Sequence, residues 1–258
     1  MIIDVHAHLT PNGKWFGNGA DASVDALLRQ MDEAAVDMAV LLPMPWLHDN
    51  DFMLKTAAQH KDRFIPGVTV DVFYDIAEQL KRLMDHGARI IKLHPKRQNL
   101  NSPHNSTLRD IFGFAEENAI PVVMDTFHLP AGHMLQWTPL HYDELLAEFP
   151  HLHLILAHGG SFHVLETMEL MSAHPSVYTD ISYIINYFSP TTSVWNDLHF
   201  FLRQTKGERI LWGSDFPDYS LGESLAAANE LMRDMKEGVR KSILGANAFN
   251  LLNLTKTD

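Results

Sequence analysis

Short, nearly continuous apolar runs recur along the chain at residues 2–5, 38–42, 64–70, 89–93, 120–124, 152–157, 177–181 and 210–212. Runs of this length that are apolar on both faces of the pleat predict strands covered on both sides, as in a buried parallel sheet. The segments between them carry apolar residues at helical spacing. One stripe is Val24, Leu27, Leu28, Met31 and Ala35, and a second is Ile76, Leu80, Leu83 and Met84, ended by Gly87. Three more are Leu108–Ile111–Phe112–Ala115, Leu165–Met168–Met171 and Leu225–Ala228–Leu231–Met232–Met235. Strand alternating with helix predicts a parallel sheet, and eight evenly spaced strands predict a closed (β/α)8 TIM barrel. A single domain spanning residues 1–258 is expected. A doubly wound open sheet is the competing arrangement. It calls for a glycine-rich phosphate turn after an early strand, and the first strand here ends in His-Ala-His instead.

Composition narrows the function. The formal net charge is -12 and the acids are dispersed, so a nucleic-acid partner is not expected. There is no cysteine, so a metal could be held only by histidine and carboxylate. No apolar stretch approaches the roughly 20 residues of a membrane span, and no signal peptide is visible. A soluble, cytoplasmic protein with a small-molecule substrate is expected, and a homodimer is compatible with the sequence. The chain carries 16 histidines, several of them at strand ends.

Candidate chemistry collects there. Asp4-Val5-His6-Ala7-His8 places two imidazoles at i and i+2, on one face of a strand, where both can reach one ion. Leu211-Trp212-Gly213-Ser214-Asp215-Phe216-Pro217 ends the eighth run in an acid, and in a barrel that strand closes beside the first. Asp215 can therefore reach a metal at His6 and His8, or act as general base; the competing reading is a helix cap. His158 ends the sixth run before Gly159-Gly160, and Asp125 ends the fifth. In Ile90-Ile91-Lys92-Leu93-His94-Pro95-Lys96-Arg97, a lysine interrupts an apolar strand, which requires pairing or function. Lys92 either binds a substrate anion or pairs internally, for example with Asp125. Long segments follow strands at residues 11–20, 43–51 and 95–103, on the face where barrels carry function.

With these pieces in order, the sequence resembles the amidohydrolase superfamily, in the branch that contains aminocarboxymuconate semialdehyde decarboxylase, γ-resorcylate decarboxylase and small lactone hydrolases. The matching segments are Asp4-Val5-His6-Ala7-His8, Lys92-Leu93-His94-Pro95, Leu156-Ala157-His158-Gly159-Gly160 and Gly213-Ser214-Asp215-Phe216-Pro217, with Asn247-Ala248-Phe249-Asn250-Leu251-Leu252 resembling the branch's C-terminal asparagine helix. The resemblance implies one divalent ion, zinc ahead of manganese, held by His6, His8 and Asp215. It places His158 beside the metal or its water. Where the branch usually ends strand five in histidine, this chain has Asp125. Either Asp125 is a ligand, or His128 substitutes for it, or the metal is weak or absent. A carbamylated Lys92 bridging two metals is a further alternative, known from binuclear branches. The expected activity is metal-dependent hydrolysis of a small lactone, ester or amide bearing a carboxylate. Asp215 and His158 are the catalytic candidates; Lys92, His94, Arg97, His128 and Trp46 are the substrate-binding ones. Non-oxidative decarboxylation of a small aryl or muconate-like acid is the alternative, and a barrel that binds without catalysis is the third.

Overall fold

The computed structural model describes residues 1–16, 18–47, 49–100, 102, 104–127 and 138–255. Each of the eight apolar runs holds a strand: β1 (Ile3–Ala7), β2 (Met38–Leu41), β3 (Phe64–Val68), β4 (Ile90–Leu93), β5 (Val122–Met124), β6 (Leu154–Leu156), β7 (Val177–Asp180) and β8 (Ile210–Leu211). They lie in chain order within one sheet, and every pair is parallel. The sheet closes on itself. Val5 N–H donates to the Trp212 carbonyl at 3.1 Å, Asp215 N–H to His6 at 2.8 Å and His8 N–H to Phe216 at 2.8 Å. Closure removes the sheet edge and buries both strand faces, which is why the runs lack polar alternation. This is the expected (β/α)8 barrel and not the open sheet.

The helices are α1 (Val24–Glu33), α2 (Asn50–Gln59), α3 (Ile76–Asp85), α4 (Ser106–Glu117), α5 (Asp143–Glu148), α6 (Val164–Ala173), α7 (Ile184–Tyr187), α8 (Ser193–Thr205), α9 (Leu221–Leu231), α10 (Glu237–Lys241) and α11 (Asn247–Leu251). The five expected stripes fall on α1, α3, α4, α6 and α9. Their starts are set by local chemistry: Ser23, Asp75, Asn105 and Ser220 each accept a backbone N–H of the first turn, and Ser220 with Glu223 forms a reciprocal capping box. The stripe of α8, Trp195–Leu198–Phe201–Leu202, is buried in the same way and lies outside the five.

Two apolar layers result. The outer one packs helices onto the barrel. The inner one fills the barrel with Ile3, Val5, Val40, Ile65, Ile90, Val123, Ile155 and Leu211, and Ala248, Leu251 and Leu252 at and beside α11 pack against it. Strand alternation then dictates which polar residues face inward near the upper end. Lys92 follows Ile90 by two positions, and Asp125 follows Val123 by two. The β1–β2 register is irregular between Asp4 and Ala7, and there His6 and His8 turn into the barrel mouth with ring centroids 5.0 Å apart.

Candidate active site

The inward polar residues meet at the C-terminal mouth of the barrel, beside a cleft of about 170 Å³ whose lining includes His6, His8, His94, Asp125, His158 and Asp215. A larger hollow of about 810 Å³, beside Met1, Arg63 and Leu254, lies at the opposite end and holds none of them.

His6, His8 and Asp215 are all buried, and one ligand atom of each lies within 4.8 Å of the others. Nε2 of His8 is 3.2 Å and Nε2 of His6 is 3.6 Å from the same Asp215 Oδ1. The outer nitrogens decide what the inner ones offer. His8 Nδ1 lies 2.7 Å from the Leu42 carbonyl, an acceptor only, so it carries the proton. His6 Nδ1 donates to Asp180 Oδ2 at 3.1 Å, and burial, with Lys92 adding to it, pushes His6 down to about 3, so that ring is neutral. Both Nε2 atoms thus point at one carboxylate oxygen. Burial alone would raise Asp215, but the hydrogen bond from His8 and the neighbouring His6 and His158 rings outweigh it and hold the carboxyl below its usual range. Three ligand-type atoms converge on one buried point, where they could hold a cation. The donor set, two imidazoles and a carboxylate with their far atoms fixed by a carboxylate and a backbone carbonyl, fits a zinc-type site with an open coordination position.

Lys92 lies behind the cleft and is fully buried. Its Nζ donates to His6 Nε2 at 3.2 Å and stands 4.0 Å from Asp125 Oδ2, so the internal pairing is the one observed. Burial lowers its pKa against the pull of Asp125, Asp180 and Asp215.

Asp125 faces other partners than the ligand cluster. Oδ1 is 3.4 Å from His94 Nδ1 and Oδ2 is 3.3 Å from His158 Nε2. Burial would raise this acid as well, but His94, His158 and Lys92 together hold it well below the ordinary range. His158 Nδ1 points at the Ser182 carbonyl, 3.2 Å away, and the Ser182 hydroxyl, 3.0 Å away. With acceptors at both nitrogens, His158 is held as an imidazolium: burial would lower its pKa, but Asp125, Asp215 and Asp180 raise it. Arg97 lies over the Trp46 ring, 4.4 Å from its centroid, and Trp46 packs edge-on against His94 at 5.5 Å. His128 lies outside the described residues.

Several contributors were not singled out from the sequence. Asp180, at the end of β7, holds His6 Nδ1 and accepts the His158 backbone N–H at 3.1 Å; an acid closing an apolar run was the same signal that marked Asp125 and Asp215. Trp15 stacks on His8 at 5.3 Å and donates its Nε1–H to Asp218 at 2.9 Å, tying the segments after β1 and β8 together. Tyr183 lines the far wall at 4.7 Å from Phe127. His158, Tyr183 and Asp215 all adopt left-handed φ, 58°, 58° and 61°, a costly geometry for side-chain-bearing residues that collects at functional sites.

The sequence profile of the amidohydrolase family matches residues 3–254. No curated protein matched the sequence. Among solved structures, a probable 2-pyrone-4,6-dicarboxylic acid hydrolase of Acinetobacter baumannii with bound citric acid superposes with a TM-score of 0.76 at 17% identity, covering 98% of this chain and 99% of that one. The 2,6-dihydroxybenzoate decarboxylase of Rhizobium superposes at 0.74 with 16% identity, covering 98% of each chain. A Burkholderia multivorans amidohydrolase with bound zinc superposes at 0.75 with 14% identity, covering 99% of this chain and 100% of that one.

Proposed function

Because the chain belongs to the amidohydrolase family, we propose that it is a metal-dependent hydrolase of a small lactone, ester or amide bearing a carboxylate. The observation that carries this reading is the convergence of His6 Nε2, His8 Nε2 and Asp215 Oδ1. These three residues would hold one divalent ion, zinc ahead of manganese. Asp125 is the fourth candidate, reaching it only by loosening its contacts to His94 and His158. A divalent ion there supplies Lewis acidity, polarising a carbonyl and acidifying water.

The remaining steps belong to the protein. Asp215, kept ionised, takes a proton from the attacking water. His158, kept cationic, places positive charge where the carbonyl oxygen becomes an oxyanion. Arg97, held flat by Trp46, receives the substrate carboxylate with a charge-assisted hydrogen bond. Trp15, Trp46 and Phe127 cover the cleft and exclude water from the reacting carbon. Lys92 serves the site from behind, with its Nζ beside Asp125 and the His6 ring. Among the described residues no helix is long and apolar enough to cross a membrane; a cytoplasmic location and a homodimeric state are part of the same proposal.

Non-oxidative decarboxylation is the second reading, favoured by the buried cationic group at His158, which could deliver a proton to carbon. The two separate on products: ring opening or acid release against carbon dioxide. For the hydrolase reading, Arg97→Met should raise KM for anionic substrates at least about tenfold, with neutral analogues little changed and metal content intact. Equal loss on both substrate types contradicts a carboxylate at Arg97.

A further inference from the structure

Among the described residues that line the cleft, one buried side-chain atom has no partner. His94 follows β4 and is 9% exposed. Its Nε2 has no hydrogen-bond partner among the described residues. The opposite nitrogen, Nδ1, faces Asp125 Oδ1 at 3.4 Å. Trp46 packs edge-on against the ring, and the His94 backbone N–H donates to Gln98 Oε1 at 2.7 Å. Gln98 is itself tied to the Val70 carbonyl at 2.8 Å.

An ionised carboxylate only accepts, so the proton of a neutral His94 resides on Nδ1 and Nε2 is left with a lone pair. A buried acceptor is costly when left unmade, and a site that presents one selects strongly against ligands that cannot donate to it. The walls around it are flat and aromatic. Trp15, Trp46, Phe127 and Tyr183 all line the cleft, and the exposed Arg97 lies over Trp46.

We propose that His94 is a specificity residue: its Nε2 accepts a hydrogen bond from a hydroxyl or N–H group on a planar, ring-bearing carboxylate, and Asp125 is the positioning residue that fixes the acceptor. This deepens the anionic-substrate reading above and rests on it. His94 then reads the donor while Arg97 reads the charge. The two rest on one short loop, three residues apart, so the spacing between charge and donor on the ligand is set by the turn 94–97.

The test uses metal-loaded protein and four probes, benzoate and its 2-, 3- and 4-hydroxy derivatives, with affinities measured by calorimetry. At least one hydroxy isomer should bind at least about tenfold more tightly than benzoate. That advantage should vanish in His94→Phe, survive in part in His94→Gln, which keeps an acceptor oxygen, and shrink in Asp125→Asn, with metal content unchanged in His94→Phe. Equal affinity for all four probes in the parent protein overturns the donor inference while leaving the anion reading standing. A hydroxyl advantage that persists in His94→Phe overturns it too, as does loss of metal in that variant, which would make His94 a ligand. Failure of all four to bind overturns both this inference and the anionic-substrate reading beneath it.

Discussion

The positions that matter most are those where a single atom more or less changes the site. Gly213 is one. A methyl group there would stand 2.7 Å from His6 Cβ, closer than such atoms approach, and 3.1 Å from the His6 backbone nitrogen. β8 meets β1 at this point, so the missing side chain is what allows Asp215 and His6 to share one ligand position. Gly213→Ala should cost about 1–3 kcal/mol of stability by overpacking and lower metal affinity by displacing His6. Thermal melting with and without metal, together with a metal titration, checks both. A variant that melts and titrates like the parent would show that the strands can part without disturbing the ligands. Asp125 teaches the opposite lesson: its side chain is shared between His94 and His158, so its acidity is set by neighbours from two other strands.

At the level of elements, the β4 turn couples recognition to the barrel. Gln98 is buried, accepts the His94 N–H and donates to Val70 and, at 3.3 Å, to Thr69 Oγ1. It therefore pins the turn that carries Arg97 to the end of β3. Gln98→Leu should loosen that turn, raise KM for anionic substrates several-fold and leave metal content alone. An unchanged KM would mean that the Arg97–Trp46 stack alone orders it. The eight strands and five of the helices were legible because burial on both faces writes a strand as an apolar run and one-sided burial writes a helix as a stripe. The short elements were not. α5, α7 and α10 bury too few residues to write a period, and α7 is entered through a left-handed residue, Tyr183. His6, His8, His158 and Asp215 were legible as polar endings of apolar runs. The pairing of Asp125 with two histidines was not, because nothing in a strand's own sequence says which neighbour its last residue will face. The internal position of Lys92 was open for the same reason.

For the whole molecule, buried ionisable groups link stability to pH. His6 and His94 are held neutral down to about 3 and about 4, so below the ordinary value of 6.5 the unfolded chain takes up protons that the fold refuses. Asp180, for which burial is outweighed by His6 and His158, is held at about 2, and its stabilisation is present above 3.8 and lost as pH falls through 2. Asp4 acts the other way. Burial lifts it to about 7, so it favours the fold as pH falls from there toward 3.8 and partly offsets the histidines. Below pH 4 nothing among these groups opposes the loss. The metal-free protein should therefore lose melting temperature gently from pH 6.5 to 4 and steeply below 4. Scanning calorimetry in chelator checks the trend, and a Tm that is level from pH 4 to pH 3 would contradict the neutral, buried state of His6.

All of this turns on whether two imidazoles and one carboxylate gather around a cation. The direct measurement is the metal content of protein purified without chelator and then dialysed against zinc, for the parent and for the His6→Ala/His8→Ala double variant. Circular dichroism confirms that the variant keeps its fold. The account predicts about one equivalent per chain in the parent, as a three-ligand catalytic site binds, and none in the folded variant. Stoichiometric metal retained by the double variant, or a parent that binds none when zinc is supplied, would contradict it.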